Sequence, residues 1–155
     1  MRIFRSAIIL ALPLFVLTSC EVEEVEFVQL TKVEVKDVKP KQITFDVTAI
    51  LNNPNGFAIN VVGSDLDLYL QGNKMGKATL LGDLKIESNT QKAYDLIIRT
   101  DGDNLQTRLL PIMFTAALTG QVTTRLDGTI TGKVSFIKRK VDVDITEEVK
   151  FKSES

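Results

Sequence analysis

Few side chains in this chain could carry out chemistry. The sequence contains one cysteine, Cys20, and no histidine. Histidine is the commonest general base near neutral pH, so its absence excludes a Ser–His or Cys–His nucleophile. Two carboxylate pairs, Asp65 with Asp67 and Asp142 with Asp144, could in principle supply an acid and a base. Side chains two residues apart also share one face of a strand, and we favour a solvated face for both pairs. We therefore expect no catalytic residue and no enzyme activity.

Two further motifs have the outline of ligand sites without matching them. The segment GNKMGKAT at 72–79 differs from a phosphate loop because its glycines are one residue too close and Ala78 replaces the required Ser or Thr. The related segment GTITGKVS at 128–135 indicates that both are β-turns. The segment DGDN at 101–104 could begin a calcium loop, but the later glycine and glutamate of an EF-hand are missing, so helix capping is favoured. We expect no metal ion and no cofactor.

The cysteine follows a short apolar segment at the start of the chain. Arg2 and Arg5 precede an apolar run that is about half the roughly 20 residues of a transmembrane helix, which is typical of a secretory signal peptide. The next residues, LTSC at 17–20, resemble the bacterial lipobox. This resemblance implies cleavage between Ser19 and Cys20 and attachment of lipid to the Cys20 sulfur. The alternative is an ordinary buried cysteine in an uncleaved anchor.

These features divide the chain into three parts. Residues 1–19 are predicted to be a signal peptide, 20–26 a lipidated cysteine with an acidic tether, and 27–155 a single domain. The tether glutamates are expected to form a solvated spacer; alternatively, they resemble the surface-export signals of some bacterial lipoproteins. A net charge of −1 provides no basic footprint for nucleic acid. We expect a protein of the bacterial cell envelope, held at the outer membrane, on its periplasmic or surface face, through Cys20.

Alternation of apolar and polar residues dominates the sequence from Phe27 onward. Strict alternation predicts half-buried strands, with one face in the core and one in water. The clearest examples are ITFDVTAIL at 43–51, SDLDLYLQG at 64–72 and the segment 141–146. Further strands are predicted at 32–38, 84–88, 93–100, 122–130 and 133–137.

The segment 101–120 departs from this period. Its apolar residues recur at helical spacing, and they are Leu105, Leu109, Ile112, Met113 and Ala116. We expect Asp101 or Asp103 to cap the helix, Gly120 to end the segment, and Pro111 to stop the helix near Leu110. Many strands with one short helix predict an all-β protein, an antiparallel β-sandwich of the fibronectin type III or immunoglobulin kind.

Turn residues separate the predicted strands. In NNPNGF at 52–57, Asn53, Pro54, Asn55 and Gly56 fit the four positions of a type I turn. Pro54 also favours an extended conformation at Asn53, so the preceding strand is expected to continue up to it. The segments QGNKMG at 71–76 and LDGTITG at 126–132 contain the other strong turn signals.

This arrangement resembles the late embryogenesis abundant type 2 family, which includes the water-stress-and-hypersensitive-response domain. The resemblance covers roughly residues 31–151. It is carried by Leu51, Asn53, Pro54, Asn55, Phe57, Ile59, Val61, Leu66, Leu68, Leu70, Gly72 and Gly76, and then by Leu126, Asp127, Gly128 and Ile130. It implies a fibronectin-like fold without a catalytic motif, a link to stress tolerance, and a connection with lipid binding.

Two functions follow as expectations. The first is a non-enzymatic lipoprotein whose domain binds a partner or protects the envelope under stress. The alternative is a lipid or hydrophobic-ligand carrier at the membrane. For the carrier, one wall of an apolar groove is predicted in the 101–120 segment, lined by Leu109, Ile112, Met113, Phe114 and Leu118. The expected partners are the membrane, through Cys20, and a lipid or an envelope protein.

Overall fold

The computed structural model describes residues 22–150, in which strands predominate. The elements are β1 Glu26–Lys39, β2 Gln42–Asn53, β3 Ile59–Leu70, β4 Asn73–Leu81, β5 Leu84–Ile86, β6 Thr90–Asp101, α1 Leu105–Thr119, β7 Gln121–Val134 and β8 Ile137–Lys150. The period of two is visible in β2, where Ile43, Phe45, Val47 and Ala49 are buried and the residues between them are half-buried. None of the helices in this part of the chain is long and apolar enough to cross a membrane.

Hydrogen bonds join the strands into one curled antiparallel sheet. The order is β1-β2-β6-β4-β3-β7-β8, and β5 pairs with β3. The β4–β6 pairing connects two halves, β1-β2-β6 and β3-β7-β8, and the edge strands β1 and β8 approach each other. The predicted all-β antiparallel architecture with one short helix is confirmed. The finer assignment to the fibronectin or immunoglobulin type remains a prediction.

Both halves of the sheet pack their inner faces into a common core. The larger cluster includes Phe45 from β2, Leu68 from β3, Met75 from β4 and Leu109 from α1. A smaller cluster, formed by Val61, Ile86 and Tyr94, lies nearer the start of β3. The helix therefore closes one side of the core with apolar contacts.

The strand register defines two opposite ends of the domain. At the helix end, Lys39 pairs with Gln42 and Gln42 pairs with Asp101, and the Leu105 N–H donates to the Pro40 carbonyl at 3.1 Å. At the tether end, where the N-terminal segment joins the sheet, Glu26 pairs with Asn52. Twelve residues of β2 separate the two ends, which corresponds to about 40 Å of extended chain.

The helix is longer than predicted and is capped differently. It continues through Pro111 to Thr119, so the expectation that it stops near Leu110 is wrong. Proline removes the hydrogen bond to the carbonyl four residues earlier, and here that carbonyl belongs to the exposed Thr107, where water can hydrate it. Neither Asp101 nor Asp103 caps the helix, since the N-cap is Asn104 in the left-handed conformation with no side-chain bond. Gly120 ends the helix as predicted, with its N–H donating to the Ala116 carbonyl at 2.8 Å.

One predicted turn is instead part of a strand. The turn at Gln71 and Gly72 forms as expected, but LDGTITG lies inside β7, and the hairpin turn falls later, at Ser135 and Phe136. Gly128 has a φ of 146°, and a Cβ there would overlap the Asp65 carbonyl of β3. A glycine is therefore needed at position 128 so that β3 and β7 can approach closely. In the sequence, a glycine that serves such a close approach cannot be told from one that serves a turn.

Candidate binding surfaces

Two buried asparagine side chains organise the tether end. The Asn53 amide, fully buried, donates to the carbonyls of Phe57 and Glu87, both at 3.0 Å. Its Oδ1 accepts from the Asn55 N–H at 3.0 Å and from the Asn55 side-chain amide at 2.9 Å. Buried amides that satisfy this many partners fix the positions of the segments they join. The NPN motif is thus a junction between the end of β2, the chain before β3 and the chain after β5.

This junction also holds the N-terminal segment of the described chain. The Glu23 N–H donates to Asn55 Oδ1 at 2.9 Å, and Asn55 Nδ2 donates to the Glu23 carbonyl at 2.7 Å. Two reciprocal bonds to one backbone residue fix where the chain joins the sheet. Glu23, which belongs to the predicted tether, is therefore held at the end of the domain opposite α1.

The predicted groove residues lie on two different faces of α1. Leu109 and Ile112 are buried in the core, with 8% and 5% of their surface exposed. Met113, Phe114 and Leu118 point away from the core and are 41%, 67% and 72% exposed. The five side chains therefore do not line one groove.

The outward residues instead form an apolar stripe, which we define as Leu110, Met113, Phe114 and Leu118. Leu110 is 70% exposed and, with Phe114 and Leu118, repeats at a spacing of four on one helix face. The only charged residue of α1 is Arg108, whose Nη1 donates to the Lys74 carbonyl at 3.0 Å. Exposed apolar residues gathered in this way are typical of an interaction surface.

A cleft lies beside this stripe. It is broad and open, has a volume of about 740 Å³, and is lined by Gln71, Asn73, Lys74, Arg108, Pro111, Ile112 and Thr115. Most of these side chains are polar. A site for an acyl chain would be expected to enclose it with apolar side chains.

The carboxylate pairs lie on the outer face of the sheet; Asp65, Asp142 and Asp144 are solvated, as predicted, whereas the Asp67 side chain is only 21% exposed. Asp67 is 2.9 Å from Lys74 Nζ and 3.3 Å from Lys77 Nζ, and the contact with Lys74 lowers the pKa of Asp67. Asp144 accepts two bonds from Arg125, at 2.8 and 3.2 Å, which lower the pKa of Asp144. A catalytic acid would need a raised pKa, so these ion pairs suit a solvated surface. Within residues 22–150, no cluster of three or more acidic, histidine or cysteine residues could hold a metal ion.

The β7–β8 hairpin forms a third surface. Every residue from 135 to 142 is exposed on both faces of the hairpin, so this part projects beyond the packed core. It carries Phe136 and Ile137, which are 86% and 54% exposed, next to Lys138, Arg139 and Lys140. We call residues 135–142 the hairpin tip.

Sequence reasoning missed the asparagine junction and the hairpin tip. The NPN segment predicts a turn, and two amides flanking a proline are also able to bond neighbouring chain segments. The tip is hidden in the sequence because the predicted strand at 133–137 runs across the true turn. The predicted lipidation site Cys20, with the cleavage between Ser19 and Cys20, lies outside the described residues.

Comparison with known proteins identifies the fold. The profile of the late embryogenesis abundant protein family matches residues 48–147. No curated protein matches the sequence. A protein from Archaeoglobus fulgidus has a similar crystal structure, with a TM-score of 0.50 and 14% identity, covering 83% of this chain and 100% of that one. A protein from Arabidopsis thaliana has a similar solution structure, with a TM-score of 0.50 and 12% identity, covering 90% and 91% of the two chains. At these identities the likeness concerns the fold alone.

Proposed function

This chain belongs to the late embryogenesis abundant protein family, and from that premise we propose that it is a lipid-anchored, non-enzymatic binding module of the bacterial cell envelope. The anchor is Cys20, acylated after cleavage behind Ser19, and the membrane is the outer membrane. The domain, of the fibronectin-like sandwich type, acts by holding an envelope partner or by protecting the envelope under stress.

The observation that supports this proposal most directly is that the N-terminal attachment and the apolar stripe lie at opposite ends of the domain. The chain joins the sheet at the tether end, where Asn55 binds Glu23, and the apolar stripe of α1 lies at the other end. Cys20 is three positions before Glu23 in the sequence, a separation that spans at most about 10 Å. A lipid on Cys20 would therefore hold the tether end near the bilayer and present the stripe to the compartment beyond it.

A hydrophobic-ligand carrier is the second candidate, and the exposed stripe is the observation that favours it. Leu110, Phe114 and Leu118 could contact an acyl chain. The cleft beside them is open, however, and only two of the seven side chains that line it, Pro111 and Ile112, are apolar. The core behind them is filled by side chains. The geometry therefore favours contact with a protein surface over enclosure of a lipid.

The anchor is tested by labelling cells with palmitate. The wild-type protein should be processed and labelled, and Cys20→Ala should accumulate as an unlabelled precursor. Processing and labelling of the variant at wild-type levels would contradict the lipoprotein assignment.

The binding role is tested by purifying the full-length protein from membranes and identifying co-purified molecules by mass spectrometry. Phe114→Asp places a charge in the stripe, and Thr115→Asp places the same charge on the cleft side of the helix, outside the stripe. A partner protein retained by Thr115→Asp and lost from Phe114→Asp supports the binding module. A stoichiometric lipid with the same dependence supports the carrier, and identical retention by both variants would exclude a role for the stripe.

A further inference from the structure

We propose that the hairpin tip is a second membrane contact, in which Phe136 and Ile137 enter the lipid–water interface and the basic residues beside them bind anionic headgroups. The orientation rests on the proposed anchor at Cys20. The contact itself rests on the tip's own position, exposure and charge.

The strand register places the tip at the tether end. Lys133, next to the tip in β7, pairs with Asn60 of β3, and the adjacent Ile59 pairs with Ile86 of β5. Ile86 and the following Glu87 contribute carbonyls that lie 3.5 and 3.0 Å from the Asn53 amide. Asn53 belongs to the junction that holds Glu23. The tip and the start of the tether are therefore on the same side of the domain.

The tip also extends beyond its surroundings. Both faces of the hairpin are exposed from residue 135 to 142, whereas the strands behind it are at least half-buried on one face. Phe136, with 86% of its surface exposed, has no packing role that would explain an aromatic ring at the turn. Aromatic rings are favoured at the level of the lipid headgroups, where an apolar ring can leave water.

The charge of the tip suits an anionic surface. Lys138, Arg139 and Lys140 are consecutive, and Lys133 lies at the other side of the turn. Within residues 22–150, these four side chains form no salt bridge. A fifth positive charge, Lys85, lies nearby, because Lys85 and Lys133 both pair with Asn60 in the register. Basic residues close to an anionic leaflet strengthen binding by about fivefold each.

Acidic residues of the tether end oppose this attraction only in part. Glu87 is paired with Lys92 at 2.7 Å. Glu26 keeps its negative charge, because its partner at 2.9 Å is the neutral side-chain amide of Asn52. Glu23 and Glu24 lie in the N-terminal segment rather than on the hairpin, and Asp142 ends the tip on β8. The projecting residues themselves carry three positive charges before the first negative one.

The contact can be measured with a single introduced tryptophan, because the natural sequence contains none. Full-length Phe136→Trp, purified with its natural modification, is reconstituted into vesicles of phosphatidylethanolamine and phosphatidylglycerol that contain brominated acyl chains. Gln106→Trp, exposed at the helix end, is the matched control. We expect blue-shifted emission and at least about twofold quenching for the Phe136→Trp variant, as for a ring at the interface. The Gln106→Trp variant should show emission typical of water and no quenching.

The charge contribution is tested in the same assay. In the Phe136→Trp background, replacing Lys138, Arg139 and Lys140 together with glutamine should lower the quenching in anionic vesicles towards its value in purely zwitterionic vesicles. Unquenched emission of the Phe136→Trp variant in the anionic vesicles, or equal quenching of the Gln106→Trp variant, would overturn the proposal. Mass spectrometry of Cys20 on the same sample reports the anchor separately. Quenching at the tip in protein that lacks the acyl group would therefore support the tip contact and contradict the anchor.

Discussion

The two ends of the domain are stabilised by different interactions. At the tether end, Asn53 and Asn55 use buried amide groups to join four chain segments, and each group has a partner at a defined distance. At the helix end, α1 closes the core with the apolar side chains of Leu105, Leu109 and Ile112. Hydrogen bonds are directional and apolar contacts are not, so the tether end should tolerate little change of shape while the helix end should tolerate substitutions that keep volume.

This difference has a functional consequence. A rigid tether end would transmit the position of a lipid anchor to the whole domain. The helix end combines a fixed inner face with an outer face that has no structural partner among the described residues. The outer face of α1 can therefore change with the binding partner while the core remains unchanged. The following predictions test this contrast.

The largest effect is expected at the junction. Asn53→Ala leaves the carbonyls of Phe57 and Glu87 and the amide of Asn55 without their partner in a buried site, which should reduce the free energy of unfolding by about 3 kcal/mol or more. Urea denaturation followed by circular dichroism measures the change. The neighbouring Asn52 bonds only the exposed side chain of Glu26, so Asn52→Ala should stay within about 0.5 kcal/mol. Equal effects of the two substitutions would show that the junction is not the stabilising element.

At the helix end, substitutions on the inner and outer faces of α1 should differ in their effect on stability, by less than the two asparagine substitutions differ. Ile112→Ala removes buried methyl groups from the core and should cost about 2–4 kcal/mol. Phe114→Ala, two residues further on the same helix, removes a side chain that is 67% exposed and should change stability by less than about 0.5 kcal/mol. Thermal unfolding of both variants provides the measurement. A large loss of stability in Phe114→Ala would mean that the stripe is part of the core.

Ion pairs should contribute less than either of these interactions. Contact with Lys74 lowers the pKa of Asp67 near the helix end, and the hydrogen bond from Lys92 lowers the pKa of Glu87 at the tether end. A carboxylate with a lowered pKa in the folded state stabilises the fold above its unfolded pKa of about 4, and this contribution disappears as the pH falls through the folded value.

The two carboxylates differ in exposure, and this predicts different effects. The Asp67 side chain is 21% exposed and that of Glu87 is 55% exposed. At pH 7, Asp67→Asn should lower stability by at most about 1 kcal/mol and should reduce the decline below pH 4. Glu87→Gln should leave both unchanged within error, because solvent screens its pair. Urea midpoints between pH 7 and 3 test this order, and a larger effect of Glu87→Gln would reverse it.

Sequence patterns predicted features that depend on near neighbours in the chain. The period of two in β2 and β3 depends on which face of a strand is buried, and the glycine after α1 depends on the geometry of a helix end. The outcome at Pro111 depended on the exposure of Thr107, and that at Gly128 on the approach of β3. The exposure of Thr107 and the closeness of β3 to Gly128 both depend on how the elements pack together, and local sequence patterns do not contain that information. For the same reason, the split of the predicted groove residues between core and stripe became visible only once α1 was packed on the sheet.

The smallest effect is expected at Gly56, beside the most sensitive residues of the molecule. A valine there would be destabilising only if the backbone had a positive φ. The φ of Gly56 is not positive, unlike that of Gly76. A Cβ at this position would meet Asn89 Nδ2 at 3.9 Å, an ordinary contact, and the residue is exposed. Gly56→Val should therefore change the free energy of unfolding by less than about 0.5 kcal/mol, partly because the substitution also restricts the unfolded chain. Gly76→Ala is the control, since its φ is 153° and its Cβ would overlap the Asp101 carbonyl, so that variant should be strongly destabilised. A destabilisation by Gly56→Val as large as that of Gly76→Ala would show that the turn itself, and not the buried amides of its asparagines, makes the tether end rigid.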